Sequence, residues 1–133
     1  MVRKLLLLVT LLGGFAAIAG AQNRVFEMRT YTCYDGKLEA LKANFRDHTI
    51  EIFKRHGIES IGYWVPQDPE KSKNTLIYIL AHPSIQAAKK NWDAFFNDPE
   101  WKKVVAESEA KNGNVVSHVD SVFLDPTDFS ELK

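Results

Sequence analysis

The apolar residues beyond position 24 switch repeatedly between a spacing of two and a spacing near 3.6, and the order of those switches limits the fold more than any single motif does. Residues 25–34 (VFEMRTYTCY) alternate, are rich in β-branched and aromatic side chains, and stop at Asp35-Gly36, a turn signal. They read as a strand with Phe26, Met28, Thr30, Thr32 and Tyr34 on one face and Val25, Glu27, Arg29, Tyr31 and Cys33 on the other. Residues 37–56 read as a helix: Leu38, Leu41, Phe45, Thr49, Ile52, Phe53 and His56 fall in one stripe, with Lys42, Asp47 and Lys54 outside it. Gly57 stands where a left-handed residue ends a helix. Two strands follow, 58–65 (IESIGYWV) and 75–81 (TLIYILA), joined by a charged, polar loop over 67–74. The second is apolar enough to be a central strand. Ser84 then caps a helix whose apolar side carries Ile85, Ala88, Trp92, Phe95 and Phe96. At Asp98-Pro99 the helix restarts, with Asp98 as cap and Trp101, Val104 and Val105 inward. Asn112-Gly113-Asn114 breaks it, and 115–124 alternates as a last strand.

The order β-α-β-β-α(α)-β is the split βαβ arrangement of the ferredoxin-like class, an α+β fold. It predicts a four-stranded antiparallel sheet with helices on one face and the other face open. Glu27 and Arg29 would make part of that open face polar, alternating there with Val25, Tyr31 and Cys33, while alternation alone leaves open which face of the strand the helices cover. Apolar residues mixed with a few charges suit a face buried against a second copy better than one in water, so a homodimer is expected.

Ahead of this domain, Arg3 and Lys4 precede a nearly all-apolar run from Leu5 to Ile18, and Ala19-Gly20-Ala21 supplies the small residues of a cleavage site. Residues 1–21 therefore read as a signal peptide and 22–133 as one exported domain, periplasmic or secreted. The run is short for a ~20-residue span and lacks a basic stop-transfer flank, so no membrane attachment is expected after cleavage. Cleavage removes two of the 17 basic residues and none of the 17 acidic ones, leaving 15 against 17. That balance argues against nucleic acid or an anionic membrane as the main partner. Cys33 is the single cysteine, so no internal disulfide can form, and it reads as an ordinary strand residue.

Several short stretches resemble the NIPSNAP family of small domains with the dimeric α/β-barrel fold. They are FEMRTYT (26–32), Gly36-Lys37-Leu38, RHGI (55–58), Gly62-Tyr63-Trp64, FFNDPEW (95–101) and LDPTDFS (124–130), and together they cover essentially the whole mature domain. The resemblance implies the fold, dimerisation and a pocket between sheet and helices. It implies no activity, since the family has no agreed enzymatic chemistry. Eukaryotic members are often mitochondrial, and the signal peptide departs from that pattern.

Five residues are candidates for ligand binding: Arg29, Tyr31, His56, Trp64 and Trp101. Arg29 and Glu27 share a strand face with Cα atoms ~7 Å apart. They read either as a structural ion pair organising the dimer, or as a site where Arg29 forks onto a carboxylate or enolate oxygen with Tyr31 donating beside it. His56 lies in the helical stripe at the last turn. It reads as a half-buried ring bonded at the helix end, or as a base at the pocket mouth. Trp64, Trp92 and Trp101, with Phe95 and Phe96, read as core packing or as the wall of a pocket for a flat apolar ligand.

Metal binding has little support. His48 and His56 would stand ~12 Å apart along a helix, and the sequence holds no H-x-x-x-H pair and no cysteine pair. Haem, with His118 or His56 as axial ligand, is the one cofactor that some dimeric α/β barrels invite, and the expectation here is no cofactor. No nucleophile elbow, phosphate-cradling glycine loop or nucleotide fingerprint is present. The leading expectation is a domain that binds a small molecule between sheet and helices. Two others stand beside it: a cofactor-free enzyme, monooxygenase- or isomerase-like, acting on an aromatic or activated carbonyl substrate, and a protein-interaction module.

Overall fold

The structure is a computed structural model describing residues 23–133, so the expected signal peptide lies outside the described residues. β1 (Val25–Cys33) leads into α1 (Leu38–Asn44), a π-helical stretch (Phe45–Thr49) and α2 (Ile50–Arg55), which run on as one rod. β2 (Glu59–Trp64) and β3 (Thr75–His82) follow, then α3 (Ile85–Asn97), α4 (Pro99–Asn112) and β4 (Val116–Leu124). The sheet has the order β2-β3-β1-β4, and every pairing is antiparallel.

The element ends follow local chemistry. Gly57 takes φ +69°, and the bonds Gly57 N–H to Lys54 C=O and Ile58 N–H to Phe53 C=O close the rod as a Schellman turn. The Ser84 hydroxyl accepts from Ala87 N–H at the start of α3. The Asp98 carboxylate accepts from Glu100 N–H at the start of α4, where Pro99 needs no partner. The π-helical stretch was not foreseen. Leu41, Phe45, Thr49 and Phe53 are four apart, and four residues overshoot an ideal helical turn by ~40°. The wider turn, marked by Ile50 N–H bonding to Phe45 C=O, absorbs that drift and keeps all four buried.

The core lies between the sheet and the helices. Leu41, Phe45 and Phe53 of the rod and Trp92 and Phe95 of α3 pack on Leu76, Tyr78 and Leu80 of β3. Glu27, Arg29, Tyr31 and Cys33, expected to help line the open face although the sequence left the face undecided, lie under the helices instead. Cys33 belongs to the core and Tyr31 packs against it, and the Arg29 guanidinium sits 4.4 Å from the ring centre of Trp92 on α3. Alternation shows which residues share a face but not which face the helices cover. Both faces of β1 mix apolar and polar residues, so the decision fell to the long-range partners of Glu27. The open face instead carries Met28, Thr30 and Thr32 beside Ile77 and Ile79 of β3 and Val122 and Leu124 of β4.

Candidate functional site

Glu27 on β1 is buried and accepts four hydrogen bonds. Its Oε1 takes Nη1 of Arg29 and Oγ of Ser121, each at 2.7 Å. Its Oε2 takes Nε1 of Trp92 at 2.7 Å and Nε2 of His82 at 2.9 Å. One carboxylate thus joins β1, β3, β4 and α3. Burial by itself raises a carboxyl pKa, but the four donors outweigh it and hold Glu27 down at about 2. Burial likewise opposes charge on Arg29, and the neighbouring phenols and Glu27 push its pKa up instead. A carboxylate with both oxygens occupied is a poor base, and the Arg29 guanidinium is paired to it through Nη1 and stacked on Trp92. The pair fastens α3 to the sheet through Trp92. Its outer Nη2 reaches the Tyr31 hydroxyl at a long 3.4 Å, which leaves that hydroxyl its own proton to donate.

Tyr31 faces a cavity of about 220 Å³, open on one side and bordered by sheet, rod, α3 and α4. Phe45 and Phe53 wall it from the rod, and Trp101 and Val105 from α4. Trp101 is held by Phe95 with ring centres 4.5 Å apart, and Phe45 stands edge-on to Tyr31 at 6.0 Å. Polar groups are few. Thr49 is buried and gives its hydroxyl proton to Asn44 C=O at 3.1 Å, while Nδ2 of Asn44 donates to Oγ of Ser108 at 2.8 Å. A largely apolar hollow with a few placed polar groups is the usual form of a small-molecule site.

Of the five candidates, the structure brings Tyr31 and Trp101 to the cavity wall and sets Arg29 directly behind Tyr31. His56 and Trp64 are elsewhere. Nε2 of His56 pairs with Asp98 Oδ2 at 2.6 Å, tying the end of α2 to the cap of α4, and this contact first of all holds the Asp98 carboxyl at about 2. Trp64 is half-exposed and lies flat over Gly62, where an added Cβ would meet the indole at 2.6 Å. His118 pairs with Asp120 at the exposed edge of the sheet, so neither proposed haem ligand reaches the cavity. Among the described residues no three His, Cys, Asp or Glu side chains gather at metal-binding distance, and no helix is long and apolar enough to cross a membrane. Sequence reasoning missed Asn44, Thr49 and Ser108. Thr49, a hydroxyl inside an otherwise apolar stripe, was the available signal.

A family model described as NIPSNAP matches residues 26–131. No curated protein matches the chain. Among solved structures, the chain is similar to a NIPSNAP family protein of unknown function from Agrobacterium tumefaciens. The two share 23% identity with a TM-score of 0.72, over 85% of this chain and 96% of the other. An uncharacterised NIPSNAP-like domain protein from Burkholderia xenovorans gives 16% identity and a TM-score of 0.69, over 82% and 90%. SnoaB, a cofactor-independent oxygenase from Streptomyces nogalater, gives 12% identity and a TM-score of 0.54, over 82% and 98%. Likeness at these identities carries the dimeric α/β-barrel fold and nothing finer.

Proposed function

The chain belongs to the NIPSNAP family, and on that premise we propose that it is an exported homodimeric domain binding a small, largely apolar molecule between its sheet and helices. The observation that carries the reading is the cavity itself, about 220 Å³ with aromatic walls and the Tyr31 hydroxyl on its sheet side. A dry apolar cavity of about 150 Å³ takes up benzene, so this one has room for a substituted ring. Export is supported by the basic, apolar and small-residue order of residues 3–21. Dimerisation is supported by the open face, where Val122 and Leu124 stand exposed beside Met28 and Ile79. A second copy would cover that face as a self-complementary interface.

The test is to purify the mature chain from its native host and examine it by native mass spectrometry and visible absorbance. An organic adduct lost in Val105→Phe, which fills the cavity, supports the reading. A Soret band, or an adduct unaffected by Val105→Phe, overturns it.

A second reading, a cofactor-free enzyme acting on an aromatic or activated carbonyl substrate, draws on the fold shared with SnoaB and on the Tyr31 hydroxyl backed by Arg29. Tyr31 would donate to an oxygen on which negative charge develops, with Arg29 stabilising the phenol from behind. Oxygen uptake with a panel of hydroxylated naphthalenes, abolished in Tyr31→Phe, is the result this reading requires.

A further inference from the structure

Among the described residues, the buried Nε of Arg29 and the buried hydroxyl of Tyr78 have no hydrogen-bond partner. The two residues stand directly opposite each other on β1 and β3. Tyr78 is 0% exposed, and its ring centre lies 5.3 Å from that of Tyr31, which lines the cavity. Glu27 takes Nη1 of Arg29, and Nη2 makes only the long 3.4 Å contact with the Tyr31 hydroxyl. Burial first, then the Tyr31 phenol, push the Tyr78 hydroxyl well above the usual phenol range against the pull of Arg29, so it keeps its proton. Donors therefore gather behind the Tyr31 oxygen with no acceptor of their own. Buried donors left in that state are rare and costly.

We propose that the ligand presents one ionised oxygen, a phenolate or enolate, to the Tyr31 hydroxyl, and that Tyr78 is a positioning residue whose hydroxyl, with Nη2 of Arg29, closes onto the Tyr31 oxygen when that charge arrives. The proposal rests on the reading of the cavity as the binding site. Hydrogen bonds accepted by the Tyr31 oxygen polarise its O–H and make it a stronger donor, most of all toward an anion among few other polar groups. Contacts of this kind are commonly long until the ligand is bound. Of the two strand residues that line the cavity, Tyr31 and Val116, only Tyr31 is polar. A single oxygen suits that wall, whereas a carboxylate would set a second one against apolar side chains. Glu109 is the carboxylate among the lining residues, and it is exposed, where water weakens its repulsion of an anion.

The experiment binds 4-nitrophenol to the mature chain and follows its ionisation by absorbance across pH, with 4-nitrotoluene as a probe of the same shape that cannot ionise. Bound 4-nitrophenol is expected to titrate about one pH unit below the free compound, which is about tenfold tighter binding of the phenolate than of the phenol. In Tyr78→Phe more than half of that lowering is expected to vanish while 4-nitrotoluene binds as before. The urea midpoint is expected to hold or rise, because the substitution removes a buried hydroxyl that has no partner. A bound phenol that titrates at or above its free value, or the same titration in Tyr78→Phe, overturns the inference. So does a marked fall in the urea midpoint or equal weakening of both probes in that variant, since either makes the hydroxyl a prop of the fold. Binding of 4-nitrotoluene that is lost in Val105→Phe leaves the cavity reading standing in each of those cases. Failure of both probes to bind the unaltered chain overturns both.

Discussion

The indole N–H of Trp92 donates to Oε2 of Glu27 at 2.7 Å, joining α3 to the second strand from the sheet edge through a contact 65 residues long in sequence. Glu27 is almost wholly buried, and its other oxygen is held by Arg29 and Ser121. The way α3 sits on the sheet, and with it one side of the cavity, depends on this carboxylate.

Glu27→Gln should destabilise the fold by about 3–5 kcal/mol, because it leaves the Arg29 guanidinium buried without its counter-charge. The double variant Glu27→Gln/Arg29→Met should recover more than half of that loss. Urea denaturation of the unaltered chain, Glu27→Gln, Arg29→Met and the double variant checks this, and additive losses would show that the two residues do not act as a pair.

Stability should fall with acid between about pH 4.5 and pH 2. The Glu27 carboxyl is held at about 2 in the folded protein, below its ordinary value of 4.5. A carboxyl depressed on folding stabilises the protein above its unfolded pKa, and that contribution is lost as pH falls through the folded one. Two and a half units correspond to about 3 kcal/mol. Urea midpoints at pH 5 and pH 2.5 should show a steep loss in the unaltered chain. In Glu27→Gln a shallower loss should remain, since Asp98 is lowered into the same window by His56.

Tyr31→Phe should weaken ligands that carry an oxygen acceptor by about five- to tenfold and leave purely hydrocarbon ligands unchanged. The variant removes one donor at the cavity wall and a long contact from Arg29. Paired titrations with 4-phenylbutan-2-one and butylbenzene measure the difference. Equal weakening of both would place the hydroxyl outside the binding geometry.

Val122→Asp should convert a dimer to a monomer without lowering the monomer's own stability by more than about 0.5 kcal/mol, as for an exposed surface substitution. Val122 is 45% exposed and pairs with Met28 on the edge-strand side of the open face. Light scattering at micromolar concentration reads the outcome. A monomer in the unaltered protein would remove the proposed interface.

Local signals were enough to set the elements and their ends. Gly57, Ser84, Asp98 and Gly113 each act within a few residues of their own position, through a left-handed turn or a side-chain cap. The order of the periods likewise yielded the four-stranded antiparallel sheet and its helical layer. In the site, Trp101 was legible because an aromatic residue on an inward helix face has few places to go but core or cavity, whereas for Tyr31 the residue type was legible and the face was not. His56 is the half-buried ring bonded at a helix end that one of its two readings described, and both it and Trp64 lie away from the cavity because stripe position and residue type do not show that Asp98, 42 residues on, takes one ring or that Gly62 seats the other.

The sequence by itself determined which side chains share a face, because a strand repeats every two residues and a helix about every 3.6. It could not determine which face of β1 the helices cover, since that depends on Trp92, His82 and Ser121 converging on Glu27 from three other elements. Only the packed chain brings those donors within hydrogen-bonding distance. The cavity and the Asn44–Ser108 hydrogen bond likewise depend on contacts between distant elements. They follow from distances between segments remote in sequence, which no periodicity encodes.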